Sequence, residues 1–226
     1  MGIQVKICGL RRPRDVWAAA KGGAAMVGFV FYGPSPRALS PAEAADLAGQ
    51  VPLGLKKVGV FVDASDDEIR AASRMASLEL VQLHGCESPA RVRAVAELTG
   101  LAVIKALPIA VRADLEPVRE FEEVADYLLF DAKTPAGGNL PGGNAAAFDW
   151  GLLAGRTFKK PWLLSGGLTA ENLGRALATS GAGMVDVSSG VERSRGEKSS
   201  EMIAAFLEIA RESKAGERAK IGASDG

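Results

Sequence analysis

"PWLLSGGLTAENLGRALATSGAGMVDVSSG", residues 161–190, holds one structural repeat from end to end. "PWLLSG" and "GMVDVS" are short runs of nearly continuous hydrophobicity, the pattern of strands in a parallel sheet covered on its outer face. Between them "TAENLGRALATSG" opens on a threonine suited to capping and closes on a glycine, so both ends of a helix have a local chemical cause. Six similar runs precede this unit: "QVKIC", "MVGFVF", "KKVGVFV", "ELVQL", "LAVIKAL" and "DYLLFD". Helical segments separate them, among them "RPRDVWAAAKGG", with Pro13 suited to a first turn, "SDDEIRAASRMAS" and "AAAFDWGLLAG". Pro117 predicts an irregular start or kink in the fifth.

Most units repeat after roughly 22 to 25 residues, and they lengthen where "FYGPSPRALS" and "TPAGGNLPGGN" are inserted. Eight strands and eight helices in alternation predict an α/β fold, a single-domain (β/α)8 TIM barrel over residues 1–213. An open doubly wound sheet also alternates, but it would call for a "GxGxxG" after the first strand, which this chain lacks. Residues 214–226 have little to bury and read as a mobile tail.

The chain has 226 residues, with 27 basic and 27 acidic side chains that cancel. That balance argues against nucleic acid or a membrane surface as partner. No apolar run approaches the length of a membrane span, and the N-terminus carries no signal pattern, so a cytoplasmic location is expected. Two cysteines, Cys8 and Cys86, are too few for a disulfide framework, and they lack metal-ligand spacing with His84, the single histidine. No metal or cofactor is expected.

In such a barrel the chemistry sits where strands end and lead into helices. The polar residues at those ends are Cys8, Arg37, Gln82, His84, Lys105, Asp131, Ser165 to Gly167 and Ser188 to Gly190. "SGG" after the seventh strand and "SSG" after the eighth offer accessible backbone N–H groups ahead of helix starts, the usual phosphate position of the fold. A phosphorylated small molecule is the implied ligand. A thiol with an unperturbed pKa of about 8.5 suits proton abstraction once a nearby cation or helix N-terminus favours its thiolate. Asp131, ending the apolar "YLLFD", is its natural proton-donating counterpart. A base, an acid and a phosphate site suit sugar-phosphate isomerisation. Lys6 and Lys105 lie inside apolar runs, so each needs a buried partner.

"VKICGL", "GFVFYGPSPRALS", "VQLHG", "LLFDA", "FDW", "LLSGGLTAENL" and "VDVSSGVE", in this order, resemble the phosphoribosylanthranilate isomerase family of tryptophan biosynthesis over about residues 3 to 212. The resemblance implies an Amadori rearrangement with Asp131 as general acid and Cys8 as general base. It further implies that Arg37 faces the anthranilate carboxylate and that Gly166, Gly167, Ser188, Ser189 and Gly190 hold the phosphate. Gln82 and His84 fall in the family's "QLHG" as substrate-binding residues. The chain is expected as a monomer or homodimer. It departs from the family at "GGNA" before "FDW", with Asn144 and Ala145, and at "SRGEKSS", where Arg195 and Ser199 replace a proline and an aspartate. A related histidine-pathway isomerase, expected to end its first strand on aspartate, and a non-catalytic phosphate-binding barrel are the rival readings.

Overall fold

The computed structural model describes residues 2–133 and 148–222, with side chains to residue 213. Eight strands close into a parallel barrel: β1 Gln4–Cys8, β2 Met26–Val30, β3 Lys56–Phe61, β4 Leu80–Leu83, β5 Ala102–Ile109, β6 Tyr127–Ala132, β7 Trp162–Leu164 and β8 Met184–Val187. The ring closes where β8 pairs with β1, Val5 opposite Val185 and Lys6 opposite Asp186. Around it lie α1 Pro13–Gly22, α2 Pro41–Ala48, α3 Asp66–Met75, α4 Pro89–Thr99, α5 Val118–Glu122, α6 Ala170–Ser180 and α7 Ser200–Gly222.

Alternation along each strand separates two cores. Outward residues such as Ile7, Phe29, Phe61, Phe130 and Leu164 meet the helices and are fully buried. Burying a side chain of this size stabilises by about 1.5–3 kcal/mol. Inward residues Met26, Val58, Leu80, Ile104, Leu129, Leu163 and Met184 fill one end of the barrel as a second cluster. The interior turns polar toward the other end. Helix starts are chemically fixed: Ser40 and Ser65 each form a capping box, with Glu43 and Glu68, and prolines occupy the first turns of α1, α2 and α4.

The fifth unit has the expected irregular start, a 3-10 turn at Arg112–Leu115 followed by a short α5 beginning after Pro117. The sixth unit differs from expectation. Within the described residues "AAAFDWGLLAG" forms only a 3-10 turn, Trp150–Leu153. Asp149 turns its carboxylate onto the Gly151 N–H at 2.9 Å, and Gly155 takes a φ of 67° that ends the segment. An unread hairpin, β9 Glu192–Ser194 with β10 Glu197–Lys198, follows β8. The backbone of α7 runs on to Gly222, into the stretch read as a tail. Asn144 and Ala145 lie outside the described residues.

Candidate active site

Cys8 is the last residue of β1 and is buried. Gly9 follows with a φ of 76°, and a Cβ there would stand 2.6 Å from Arg37 Cδ, so this glycine allows both the turn and the arginine packed over it. The Ser188 hydroxyl donates to the Cys8 carbonyl at 3.2 Å, tying the phosphate-type loop after β8 to the end of β1. Burial pushes the Cys8 thiol up from its ordinary range, Lys6 and Lys198 pull it down, and Asp186 opposes them. Burial wins. Two cations therefore stand beside the thiol, but they lessen the cost of the thiolate without cancelling it.

Asp131 lies near the end of β6, three strands from β1 around the ring, and is 6% exposed. One carboxyl oxygen accepts the Ala132 N–H at 2.9 Å; the other is 3.1 Å from His84 Nε2. On its far side His84 Nδ1 is 2.8 Å from Gln82 Nε2. The Gln82 amide donates to Nδ1, which leaves the Nε2–H of the ring to donate to Asp131. Gln82 is fully buried, so of the two residues read as substrate-binding only His84 lines the cavity. That cavity, about 400 Å³, is bounded by Tyr32, Asp63, His84, Pro108, Asp131 and Lys133 among others.

Arg37 is held by a carboxylate from its own chain. Its Nε and Nη2 donate to the two oxygens of Glu192 at 2.7 and 2.8 Å. Lys198 Nζ donates to Glu192 at 2.6 Å and to the Ser188 carbonyl at 2.9 Å, all in a buried cluster. Although burial favours its neutral form, the Arg37 fork and Lys198 hold the Glu192 carboxyl down at about 2. A lowered carboxyl contributes stability that is complete above its unfolded value and is lost as pH falls through its folded value. Glu192 should therefore cost stability between about pH 4.5 and about pH 2. Urea denaturation across that window is expected to show a shallower decline in Glu192→Gln than in wild type; equal slopes would contradict the assignment.

The loops after β7 and β8 meet at the barrel mouth. Gly166 and Gly167 take φ values of 87° and 64°, and a Cβ at Gly190 would overlap the Leu168 carbonyl, so the two loops touch. The backbone N–H groups of Gly166, Gly167, Ser189 and Gly190 donate to no acceptor among the described residues. Lys105 instead points outward toward Phe121, bonding Glu87 at 2.6 Å and the Gly85 carbonyl at 2.8 Å, and so braces the turn that presents His84. Ser199 caps the start of α7, its hydroxyl accepting the Met202 N–H at 3.3 Å, while Arg195 sits exposed at the hairpin turn. Glu192 and Lys198 escaped the sequence reading; a charged pair straddling Gly196 beside "SSG" was the available signal.

Residues 5–209 match the family described as N-(5'-phosphoribosyl)anthranilate (PRA) isomerase. The N-(5'-phosphoribosyl)anthranilate isomerase of Rhodospirillum rubrum is 53% identical over 92% of this chain and 97% of its own. That of Cereibacter sphaeroides is 51% identical over 93% and 99%. Phosphoribosyl anthranilate isomerase from Thermotoga maritima superposes with a TM-score of 0.84 at 35% identity, covering 93% of this chain and 99% of its own. A structure of the enzyme in complex with reduced 1-(o-carboxyphenylamino)-1-deoxyribulose 5-phosphate superposes with a TM-score of 0.78 at 32% identity, covering 93% and 99%.

Proposed function

The chain belongs to the N-(5'-phosphoribosyl)anthranilate isomerase family and is an aldose-ketose isomerase of tryptophan biosynthesis; on that premise we propose that Asp131 and Cys8 are its acid and base. The reaction converts N-(5-phosphoribosyl)anthranilate to 1-(2-carboxyphenylamino)-1-deoxyribulose 5-phosphate. Asp131 gives a proton to the furanose ring oxygen, the C1–O bond breaks, and the nitrogen lone pair forms the Schiff base. Cys8 then takes the C2 proton, the C–H electron pair becomes the C1–C2 double bond, and the enolamine tautomerises to the ketone. Both groups stand at strand ends facing the barrel mouth, each backed by a partner suited to its charge, Lys6 or His84. That pairing is the observation that carries the assignment.

The N–H groups after β7 and β8 bind the phosphate, and Arg37 receives the anthranilate carboxylate with the donors that Glu192 leaves free. The chain works in the cytoplasm as a monomer or homodimer; its two free thiols suit a reducing compartment. Substrate carrying deuterium at ribose C2 tests the base step. A primary isotope effect on single turnover that persists or grows in Cys8→Ser, where the slowed C–H cleavage limits the rate more fully, is expected, and its disappearance there would contradict the role of Cys8.

His84 orients Asp131 and stabilises the carboxylate left after proton donation. Loss of one such charge-assisted bond should lower kcat by about ten- to a hundredfold in His84→Ala, with KM little changed. His84→Gln, which still donates, should recover part of it. Equal activity of both variants would remove His84 from the mechanism.

A further inference from the structure

Lys6 is among the largest fully buried side chains, and it sits two residues before Cys8 on β1, so both point into the barrel from successive layers. Burying an ammonium is costly, and a buried ion pair is often replaceable by apolar side chains without loss of stability. Closing the ring therefore does not by itself account for it. Lys6 Nζ lies 2.8 Å from Asp186 Oδ1, its register partner across the seam between β1 and β8. Burial works against the charge of Lys6, but Asp186 and Cys8 more than offset this and raise it above the ordinary lysine range. The ammonium stays protonated.

Gly28 on the neighbouring strand shows what that charge faces. A Cβ there would stand 3.0 Å from Cys8 Sγ and 3.2 Å from Lys6 Nζ. The thiol and the ammonium thus border the same small gap, kept open because β2 has no side chain at this point.

We propose that Lys6 is a positioning residue for proton transfer at Cys8: its ammonium, anchored by Asp186, is the counter-charge on which the thiolate forms. The proposal rests on Cys8 being the base. The other charged groups around Cys8 are Asp186 from β8, Lys198 from β10, Arg37 from the loop after β2, and Glu192 from β9, which is occupied by Arg37 and Lys198. In the step itself the thiolate takes the C2 proton and returns to the thiol, while Lys6 keeps its own proton throughout.

The two halves of the ion pair must then act on Cys8 with opposite sign. Removing Lys6 takes away the charge that favours the thiolate; removing Asp186 takes away the one that opposes it. The test is the pH dependence of Cys8 alkylation by iodoacetamide, located by peptide mass spectrometry, in wild type, Lys6→Met, Asp186→Asn and the double variant. The midpoint should rise by about one pH unit or more in Lys6→Met and fall in Asp186→Asn. In the double variant, which leaves no lone buried charge and folds if a single variant does not, it should lie above wild type. The acid limb of kcat/KM should move with the alkylation midpoint. Midpoints that stay put or move in the same direction in the two single variants, or a double variant at or below wild type, would overturn the proposal. Alkylation is read without turnover, so failure of Cys8 as the base, seen as an active Cys8→Ser, remains a separate result.

Discussion

Cys8→Ser is expected to fold, to bind the reduced product analogue about as tightly as wild type, and to lose about two to four orders of magnitude in kcat. The exchange of sulfur for oxygen is nearly isosteric in a site already closed by Arg37 and the Ser188 loop, so stability should change little. Serine keeps the position of the base but not its acidity, because a hydroxyl stays protonated where a thiol beside Lys6 and Lys198 can ionise. The loops proposed to hold the phosphate follow β7 and β8, so ground-state binding should be spared. A loss confined to kcat is the signature of an interaction made in the transition state. Titration with the analogue beside steady-state kinetics checks this, and a parallel loss of analogue affinity would point instead to a collapsed site.

Asp131→Asn should lose a comparable two to four orders, by a different route. Asparagine fills the same space on β6 and can still meet His84 and the Ala132 N–H, but it has no proton to give to the ring oxygen. Ring opening then becomes the slow step. The C2 isotope effect should therefore disappear in Asp131→Asn although Cys8 is intact, because C–H cleavage no longer limits the rate. A full isotope effect with low kcat would instead mean that Asp131 acts at the C2 step.

The barrel was legible because each unit carries its own local causes. Ser40, Ser65 and Ser88 mark helix starts, Gly23, Gly100 and Gly181 mark ends, and near-continuous apolar runs mark strands covered on their outer face. Pro117 foretold the irregular fifth unit. Helical spacing misled in the sixth, where Gly151, Gly155 and the self-bonding Asp149 outweigh it. Cys8 and Asp131 were visible as polar residues ending apolar runs. Their supporting partners were not: Lys6 meets a residue 180 positions away, and Arg37 one 155 away. Such pairs depend on ring closure, which no local pattern announces, and on the β9–β10 hairpin, whose one local signal is the charged pair straddling Gly196. Arg37 shows the consequence, since the guanidinium read as facing the anthranilate carboxylate is also held by Glu192.

The most direct test of the account is the decay of phosphoribosylanthranilate fluorescence on adding wild type, Cys8→Ser or Asp131→Asn at equal concentration. Fast decay with wild type and decay near the spontaneous background with either variant is the predicted result. Fast decay that survives in both variants would contradict the acid-base assignment.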